Sequence, residues 1–192
     1  ESRGSDDPSE KLGRGRRGCI RAGARPARAR VAHTRARVAE DLADAPDGCH
    51  RFFRAIFEEG SGTRTILELA GTLGVIPSTL MSRFVRASLP APKFYLSMAR
   101  LVCAARMFEN PGLSVTLVAN ELDYSSPQAF GRHLRAMLRL TALEFRERYD
   151  GEGMLQHFRD ELILPHLPKL RHFDPLGLEV STRNAARARY EA

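Results

Sequence analysis

Apolar residues recur at three- and four-residue spacing through most of the chain between residues 49 and 149, and no segment there alternates as a half-buried strand would. The stretch CHRFFRAIFEEG, residues 49–60, is representative. In it Phe52, Phe53, Ile56 and Phe57 have helical spacing and Gly60 follows them. The pattern therefore predicts an all-α fold.

Two shorter helices are predicted next, separated by a sharp turn. Thr65 is followed three residues later by Glu68, the capping-box pattern that marks a helix start. Gly74 ends this helix at a position where a positive φ is usual. Pro77 then suits the first turn of another helix. The segment predicts a helix, a turn and a second helix.

A longer helix is predicted from Pro92 to the Asn-Pro-Gly sequence at residues 110–112. A row of apolar residues runs along it, with Tyr95 and Val102 beside the row. The row consists of Phe94, Met98, Leu101, Ala105 and Phe108. We expect this face to lie in the core.

The chain then repeats the helix-turn-helix pattern. Ala70 precedes Gly74 by four residues, and Ala119 precedes Asp123 by the same interval. The second helix of each pair carries two apolar residues, also four apart, that we expect to face inward. They are Leu80 and Phe84 in the first pair and Phe130 and Leu134 in the second. The sequence thus contains two copies of one supersecondary unit, the helix-turn-helix. Because the apolar residues face inward, the outer face of each second helix is available to a DNA major groove.

These residues resemble the DNA-binding domain of the AraC/XylS family of transcription regulators, over roughly residues 50–149 or about half of the chain. The motifs are LAGTLG and STLMSRF in the first unit, PKFYLSMARLVCAARMF in the long helix, and LSVTLVANELDYSSPQAFGRHLR with TALEFRERY in the second unit. Pro92, Tyr95, Arg100-Leu101, Phe84, Phe130 and Leu134 stand where the family pattern expects them. The resemblance implies two recognition helices on a rigid linker helix, reading successive major grooves.

The second unit departs from the family pattern at two places. Asp123-Tyr124 replaces the usual Gly-Phe, and we expect the turn to persist because Asp tolerates left-handed geometry. Arg139 and Ala142 replace a usual Gly and Pro, which we expect to alter how TALEFRERY docks.

Candidate DNA contacts lie on the outer faces of the two second helices. Glutamine can pair with adenine and arginine with guanine, and Gln128 and Arg132 lie four residues apart on one helical face. The candidates in the second unit are Ser126, Gln128, Arg132 and Arg135, with Gly131 on the same face and His133 close by. Each could equally be an ordinary solvated surface residue.

The first unit has fewer side chains that are suited to hydrogen-bonding DNA bases. Ser78, Met81 and Ser82 are short or apolar where the family often has long polar side chains. We therefore expect the first helix mainly to position the protein through phosphate or water-mediated contacts. The candidates for these contacts, and for charge, are Ser78, Thr79, Ser82, Arg83 and Arg86.

Residues 1–47 differ in composition from the rest of the chain. Between Lys11 and Arg37 there are ten Lys/Arg and no acidic residue, mixed with Ala, Gly and Pro. Such a segment lacks the apolar groups that offset chain entropy, so we predict disorder. It is either a solvated tail, which we favour, or a basic arm that contacts phosphate.

The remaining residues divide into three predicted segments. Residues 48–150 form the DNA-binding domain, with helix-turn-helix units at 65–88 and 114–138 and the linker helix at 92–109. Residues 151–173 form a short amphipathic helical extension whose helix ends before Pro165, and 174–192 form a flexible tail. The extension either packs back on the domain, as we favour, or offers a dimer or RNA polymerase contact.

Charge and cysteine usage limit the partners. A formal net charge of +7 makes polyanions, and double-stranded DNA first, the partners to expect. Cys19, Cys49 and Cys103 are far apart and belong to no metal-ligand motif, so we expect no zinc site, no disulfide framework and no cofactor. Without an apolar run of membrane-spanning length or a signal sequence, we expect a cytoplasmic protein with no membrane contact.

Two alternative functions compete with sequence-specific regulation. A general nucleic-acid-binding or protein-interaction module would use the helices as a scaffold and show salt dependence without sequence preference. An enzymatic alternative rests on GCHR, residues 48–51, which resembles the Pro-Cys-His-Arg of DNA alkyltransferases. Nothing before Cys49 could build the fold that such a nucleophile needs, so we predict no enzyme. The same segment is too short for a small-molecule effector domain.

Overall fold

The computed structural model describes residues 32–58 and 65–177. Within these two ranges all regular structure is helical, which confirms the all-α prediction. The helices are α1 (residues 32–41), α2 (Asp47–Ile56), α3 (Ile66–Leu73), α4 (Pro77–Arg86), α5 (Pro92–Phe108), α6 (Val115–Glu121), α7 (Pro127–Leu138), α8 (Ala142–Arg148), α9 (Gly151–Phe158) and α10 (Leu167–Leu170). A π-helical turn at Arg159–Ile163 and a 3₁₀ turn at Leu164–His166 join the last two.

Helix starts follow from local sequence. The predicted capping box before α3 is confirmed: the Glu68 N–H donates to Thr65 Oγ1 at 3.2 Å, and the Thr65 N–H donates to Glu68 Oε2 at 3.0 Å. Thr141 and Glu144 form the same reciprocal pair before α8. Ser114 caps α6 by accepting the N–H of Leu117. These bonds satisfy N–H groups that the first helical turn leaves without partners.

Helix α5 forms the centre of the described chain, because α2, α4, α6, α7, α8 and α9 all pack against it. Tyr95 is fully buried on α5 among the rings of Phe52, Phe53 and Phe84, with centroids 5.6–5.9 Å away. The predicted apolar row is wrong at one position, since Phe94 is 40% exposed. Adjacent helical positions point about 100° apart, so burying Tyr95 turns Phe94 toward solvent.

The predicted disorder of residues 1–47 is wrong for residues 32–47, where the structure describes α1 and the turn into α2; residues 1–31 lie outside the described residues. Val38 and Leu42, four residues apart, bury almost completely, and Thr34 lies on the same face. Asp41 also accepts two bonds from the Arg159 guanidinium, at 2.6 and 2.8 Å. These long-range contacts stabilise a helix that its Arg-rich composition does not predict.

Helix α9 packs along α5, and its buried side chains belong to the same core as the helix pairs. Those from α9 and the π-helical turn are Met154, Leu155, Phe158, Leu162 and Ile163. The extension therefore packs back on the preceding helices, and α9 ends at Phe158, before Pro165. Pro165 has no N–H to donate to the carbonyl of Glu161, and the chain passes from π-helical to 3₁₀ geometry there.

The segment after α10 returns to the first helix pair. Phe173 meets the Phe84 ring at a centroid distance of 4.7 Å, and Leu176 is buried. Gly48 lies so close to Asp174 that a Cβ there would overlap the carboxylate. The flexible tail predicted from residue 174 is therefore wrong for residues 174–177, because a phenylalanine and a leucine anchor them; residues 178–192 lie outside the described residues.

Candidate nucleic-acid interface

The first helix pair turns at a glycine. Gly74 has φ 69° and ends α3, and its N–H donates to the carbonyls of Ala70 and Gly71. The Val75 N–H also donates to the Ala70 carbonyl, at 2.9 Å. This closes the helix as a left-handed C-terminal residue usually does. Pro77 then starts α4 with no loss of a helical hydrogen bond.

The second pair repeats that closure with a different residue. Asp123 has φ 56°, so the prediction that aspartate would preserve the turn is confirmed. The Tyr124 N–H donates to the Ala119 carbonyl at 2.8 Å, and the Asp123 N–H donates to the Asn120 carbonyl at 2.9 Å. Ser126 follows as the N-cap of α7 and accepts the Ala129 N–H at 3.1 Å.

Both second helices are anchored by the predicted inward pairs. Each of the four side chains is 0–1% exposed: Leu80, Phe84, Phe130 and Leu134. Because these residues lie four apart on α4 and on α7, the opposite face of each helix is turned outward. The two outward faces are the candidate interface.

The outward face of α4 contains hydroxyl and apolar groups. Ser78 and Ser82 are exposed and Thr79 is half-buried. Met81 and Val85, at 38% and 72% exposure, lie on the same stripe because residues 78, 81, 82 and 85 have i, i+3, i+4 and i+7 spacing. Our sequence interpretation noted the apolar side chain at Met81 but missed Val85. The i, i+7 spacing from Ser78 is the signal that could have identified it.

The two arginines of α4 differ in their surroundings. Arg86 is exposed near the end of the helix. Arg83 is half-buried, and its Nη1 donates to the carbonyl of Pro175 at 2.8 Å. Gly177 lies against the same guanidinium, so closely that a Cβ there would overlap it. Arg83 thus joins α4 to the C-terminal segment, a role that its sequence neighbours do not indicate.

The outward face of α7 contains longer polar groups. Gln128, Arg132 and Arg135 are all exposed and lie on one stripe, with the half-buried Gly131 between them. Ser126 is the N-cap of α7, where its hydroxyl oxygen accepts the Ala129 N–H. The structure therefore places three of the four second-unit candidates side by side.

His133 belongs to the inner side of α7. Its Nδ1 hydrogen-bonds the Tyr124 hydroxyl, whereas its buried Nε2 has no hydrogen-bond partner among the described residues. Burial, followed by repulsion from Arg100 and Lys93, lowers the pKa of His133 to about 4. Arg100 stacks 4.0 Å above the Tyr124 ring and donates to the Leu122 carbonyl at 2.7 Å. This cluster fixes the turn to α5 and keeps His133 neutral.

Arg139 ends α7 in a left-handed conformation with φ 61°. It therefore occupies the geometry that the glycine of the family pattern would adopt. Helix α8 still docks, since Phe145 is fully buried and meets Phe108 at 6.3 Å between centroids. Arg146 also donates to the Pro111 carbonyl at 3.1 Å. Helix α8 thus packs on the core, while Arg139 holds a conformation that strains an arginine more than a glycine.

Charge favours an anionic partner for both outward faces. No acidic residue occurs from 69 to 108, a segment with five Lys/Arg, or from 124 to 143, a segment with three arginines. A surface that lacks carboxylates and carries several cations attracts a polyanion and repels few of its phosphates.

Within 32–58 and 65–177 there is no group of three or more His, Cys, Asp and Glu placed to hold a metal ion, and no helix there is long and apolar enough to cross a membrane. Burial, then the charge of Asp174, raises the pKa of Cys49 to about 12. A nucleophilic cysteine needs a lowered pKa, so this thiol does not fit the alkyltransferase alternative.

Comparison with protein-family models gives a match to part of the chain. Residues 69–148 match the family model described as a helix-turn-helix domain, a range that runs from within α3 to the end of α8. No curated protein and no solved structure matches the chain.

Proposed function

From the match of residues 69–148 to a helix-turn-helix domain of the AraC type, we propose that this protein is a sequence-specific DNA-binding transcription regulator. Domains of this type indicate DNA-binding regulators in general. In our proposal α4 and α7 are two recognition helices that read successive major grooves. The observation that carries the proposal is the repeated unit: each second helix has the same inward anchors and an exposed outward face without acidic groups.

The length of α5 is compatible with this arrangement. Its 17 residues span about 26 Å at a rise of about 1.5 Å per residue. Successive major grooves on one face of DNA are about 34 Å apart. Both units are tied to α5, the first through the Phe84–Tyr95 ring contact and the second through the Arg100 bond to the Leu122 carbonyl. A rigid pair of recognition helices is therefore expected.

The outward residues take different roles in this proposal. Gln128 and Arg132 are assigned to bases, because their amide and guanidinium groups can each make two hydrogen bonds with a purine edge. Arg135 and Arg86 are assigned to phosphates, together with Ser78, Thr79 and Ser82. Arg83 is assigned no DNA contact, since its guanidinium donates to the Pro175 carbonyl. Ser126 is assigned to capping α7.

Selection from a randomised duplex pool tests the proposal. The full chain, at near-physiological salt, is expected to enrich a motif with two clusters about 10 base pairs apart. Arg132→Ala is expected to relax one cluster and to leave the other. Arg54→Ala is the matched control, because it removes an exposed arginine from α2 rather than from a recognition helix. The proposal fails if no motif is enriched and both variants weaken binding equally on all sequences.

A further inference from the structure

The outward stripe of α4 has an apolar part that no described segment covers. Met81 is 38% exposed and Val85 is 72% exposed, four residues apart on one face. Ser78 and Ser82 lie on the same stripe, and all four are on the side of the helix opposite the buried anchors. Val85 leaves most of its apolar surface in water, so burial within this chain contributes little stability at this position.

The repeat indicates what this stripe faces. Counted from the inward pair of each helix, Ser82 corresponds to Arg132 and Val85 corresponds to Arg135. Met81 likewise corresponds to Gly131. Val85 therefore stands where α7 presents Arg135, and Met81 stands beside it on the same outward stripe. A helix placed in a major groove by the same framework would present Met81 and Val85 to base edges.

The positive charge near the outward stripe of α4 favours a polyanion over an apolar protein as its partner. Arg86 on α4 and Lys93 at the start of α5 are both exposed close to the stripe in sequence, and no acidic residue occurs between 69 and 108. Two apolar side chains interleaved with two hydroxyls are also a small patch for a protein interface. In the major groove thymine presents a C5-methyl group, which is the apolar feature that distinguishes it from the other three bases.

Resting on the proposed function, we propose that α4 reads DNA by apolar contact, with Met81 and Val85 packing against thymine methyl groups in the half-site that α4 faces. Ser78 and Arg86 hold the adjacent backbone. The first recognition helix is then a specificity element in its own right. The two halves of the target are read by different chemistry, methyl contact by α4 and hydrogen bonding by α7.

Replacing thymine with deoxyuridine tests this proposal, because the substitution removes the C5-methyl group and leaves base pairing intact. The full chain is used with the duplex that it selects, and the α4 half-site is the cluster that Arg132→Ala leaves unchanged. At one or two thymines of that cluster, deoxyuridine is expected to lower affinity about fourfold per methyl group. At cytosines elsewhere, 5-methylcytosine serves as a control for general effects of added methyl groups.

Protein variants test whether Met81 and Val85 cause the dependence of binding on thymine methyl groups. With Met81→Ser or Val85→Ser, the thymine-to-deoxyuridine affinity ratio at the affected position is expected to fall to about one. Both residues are exposed, so the thermal unfolding temperature should stay close to that of the unmodified chain. Leu67→Ser is the matched control, because Leu67 is 70% exposed but lies on α3. It should leave the ratio unchanged.

The outcomes separate this proposal from the proposed function. An enriched bipartite motif without any thymine-methyl dependence in the α4 half overturns the methyl contact alone. A methyl dependence that persists in both serine variants overturns the assignment to Met81 and Val85. Loss of self-association in these variants, with unchanged DNA binding, identifies the stripe as a protein contact. Selection that enriches no motif overturns both proposals together.

Discussion

The first helix pair turns at Gly74 and the second turns at Asp123. In both turns, the N–H of the next residue donates a hydrogen bond to the carbonyl of the alanine that packs between the helices. The bonds are 2.9 Å long from Val75 to Ala70 and 2.8 Å from Tyr124 to Ala119. The second turn needs one residue more, but the following helix has the same inward anchors. A few local constraints therefore specify the framework, and the outward residues can differ without disturbing it.

The two units also differ in what lies behind the recognition helix. Phe84 of α4 packs among aromatic rings that include Phe173 from the C-terminal segment. On the inner side of α7 the Phe130 ring meets Phe108 and Tyr124, and Tyr124 and His133 lie beside Arg100. The first unit thus packs against a distant part of the chain, whereas the second combines aromatic contacts with a polar cluster that contains a buried histidine. This contrast predicts that they respond differently to mutation and to pH.

The largest expected effect is loss of the aromatic anchor in the first unit. Phe84→Ala should lower the free energy of unfolding by about 4 kcal/mol, and Leu134→Ala in the second unit by about 3 kcal/mol. Val85→Ala is the neighbouring control and should cost less than about 0.5 kcal/mol, because Val85 is exposed. Urea unfolding measures all three. Equal costs for Phe84→Ala and Val85→Ala would mean that α4 is not anchored by its inward face.

DNA affinity should distinguish the matched outward positions. Arg132→Ala is expected to weaken binding to the selected duplex about thirtyfold, the effect of losing roughly 2 kcal/mol of guanine readout. Ser82→Ala, at the corresponding position of α4, should change affinity less than about threefold. Fluorescence anisotropy at fixed salt measures both. If the serine variant weakened binding as much as the arginine variant, the contrast between the two faces would be lost.

Acid should weaken the second unit through His133. The pKa of His133 is about 4 in the folded chain and near 6.5 when unfolded, so the unfolded state takes up its proton first as pH falls. Stability therefore declines from about pH 6.5 toward pH 4, and this one group should account for about 2 kcal/mol between pH 7 and pH 5. Urea unfolding at both pH values checks the size of the decline. His133→Gln should lose less stability over that interval, and an identical pH dependence would exclude the histidine as the cause.

The smallest predicted effect concerns the strained end of α7. Arg139 is exposed and has φ 61°, a conformation that costs an arginine more than a glycine. Arg139→Gly should raise the free energy of unfolding by about 0.5–1 kcal/mol. Arg135→Gly, one turn earlier inside the helix, should lower it by about 1 kcal/mol. A destabilising result at Arg139 would show that its side chain contributes more than the backbone strain removes.

Sequence reasoning was most reliable where structure depends on neighbouring residues. The Thr65–Glu68 capping box, the Gly74 turn and the left-handed Asp123 all follow from interactions within a few residues, and all three are present. The two inward pairs were also predictable, because helical spacing fixes which side chains share a face.

Long-range contacts were not predictable from the same patterns. No neighbouring residue indicates that Val38 and Leu42 are buried in the core. None indicates that Arg159 forms a salt bridge with Asp41, which lies more than a hundred residues earlier in the sequence. The bond from Arg83 to the Pro175 carbonyl is of the same kind, and it joins α4 to a segment about ninety residues further along the chain. In each case the partner is distant in sequence, so composition and periodicity carry no signal for it.

Changing the spacing between the two half-sites tests the central claim most directly. If α5 holds α4 and α7 rigidly, inserting 5 base pairs between the clusters moves one half-site to the opposite side of the DNA. The full chain should then bind no more tightly than it binds a duplex with a single half-site, at least tenfold weaker than the selected sequence. Unchanged affinity after the insertion would contradict the account, because it would show that the two helices do not read DNA as one rigid pair.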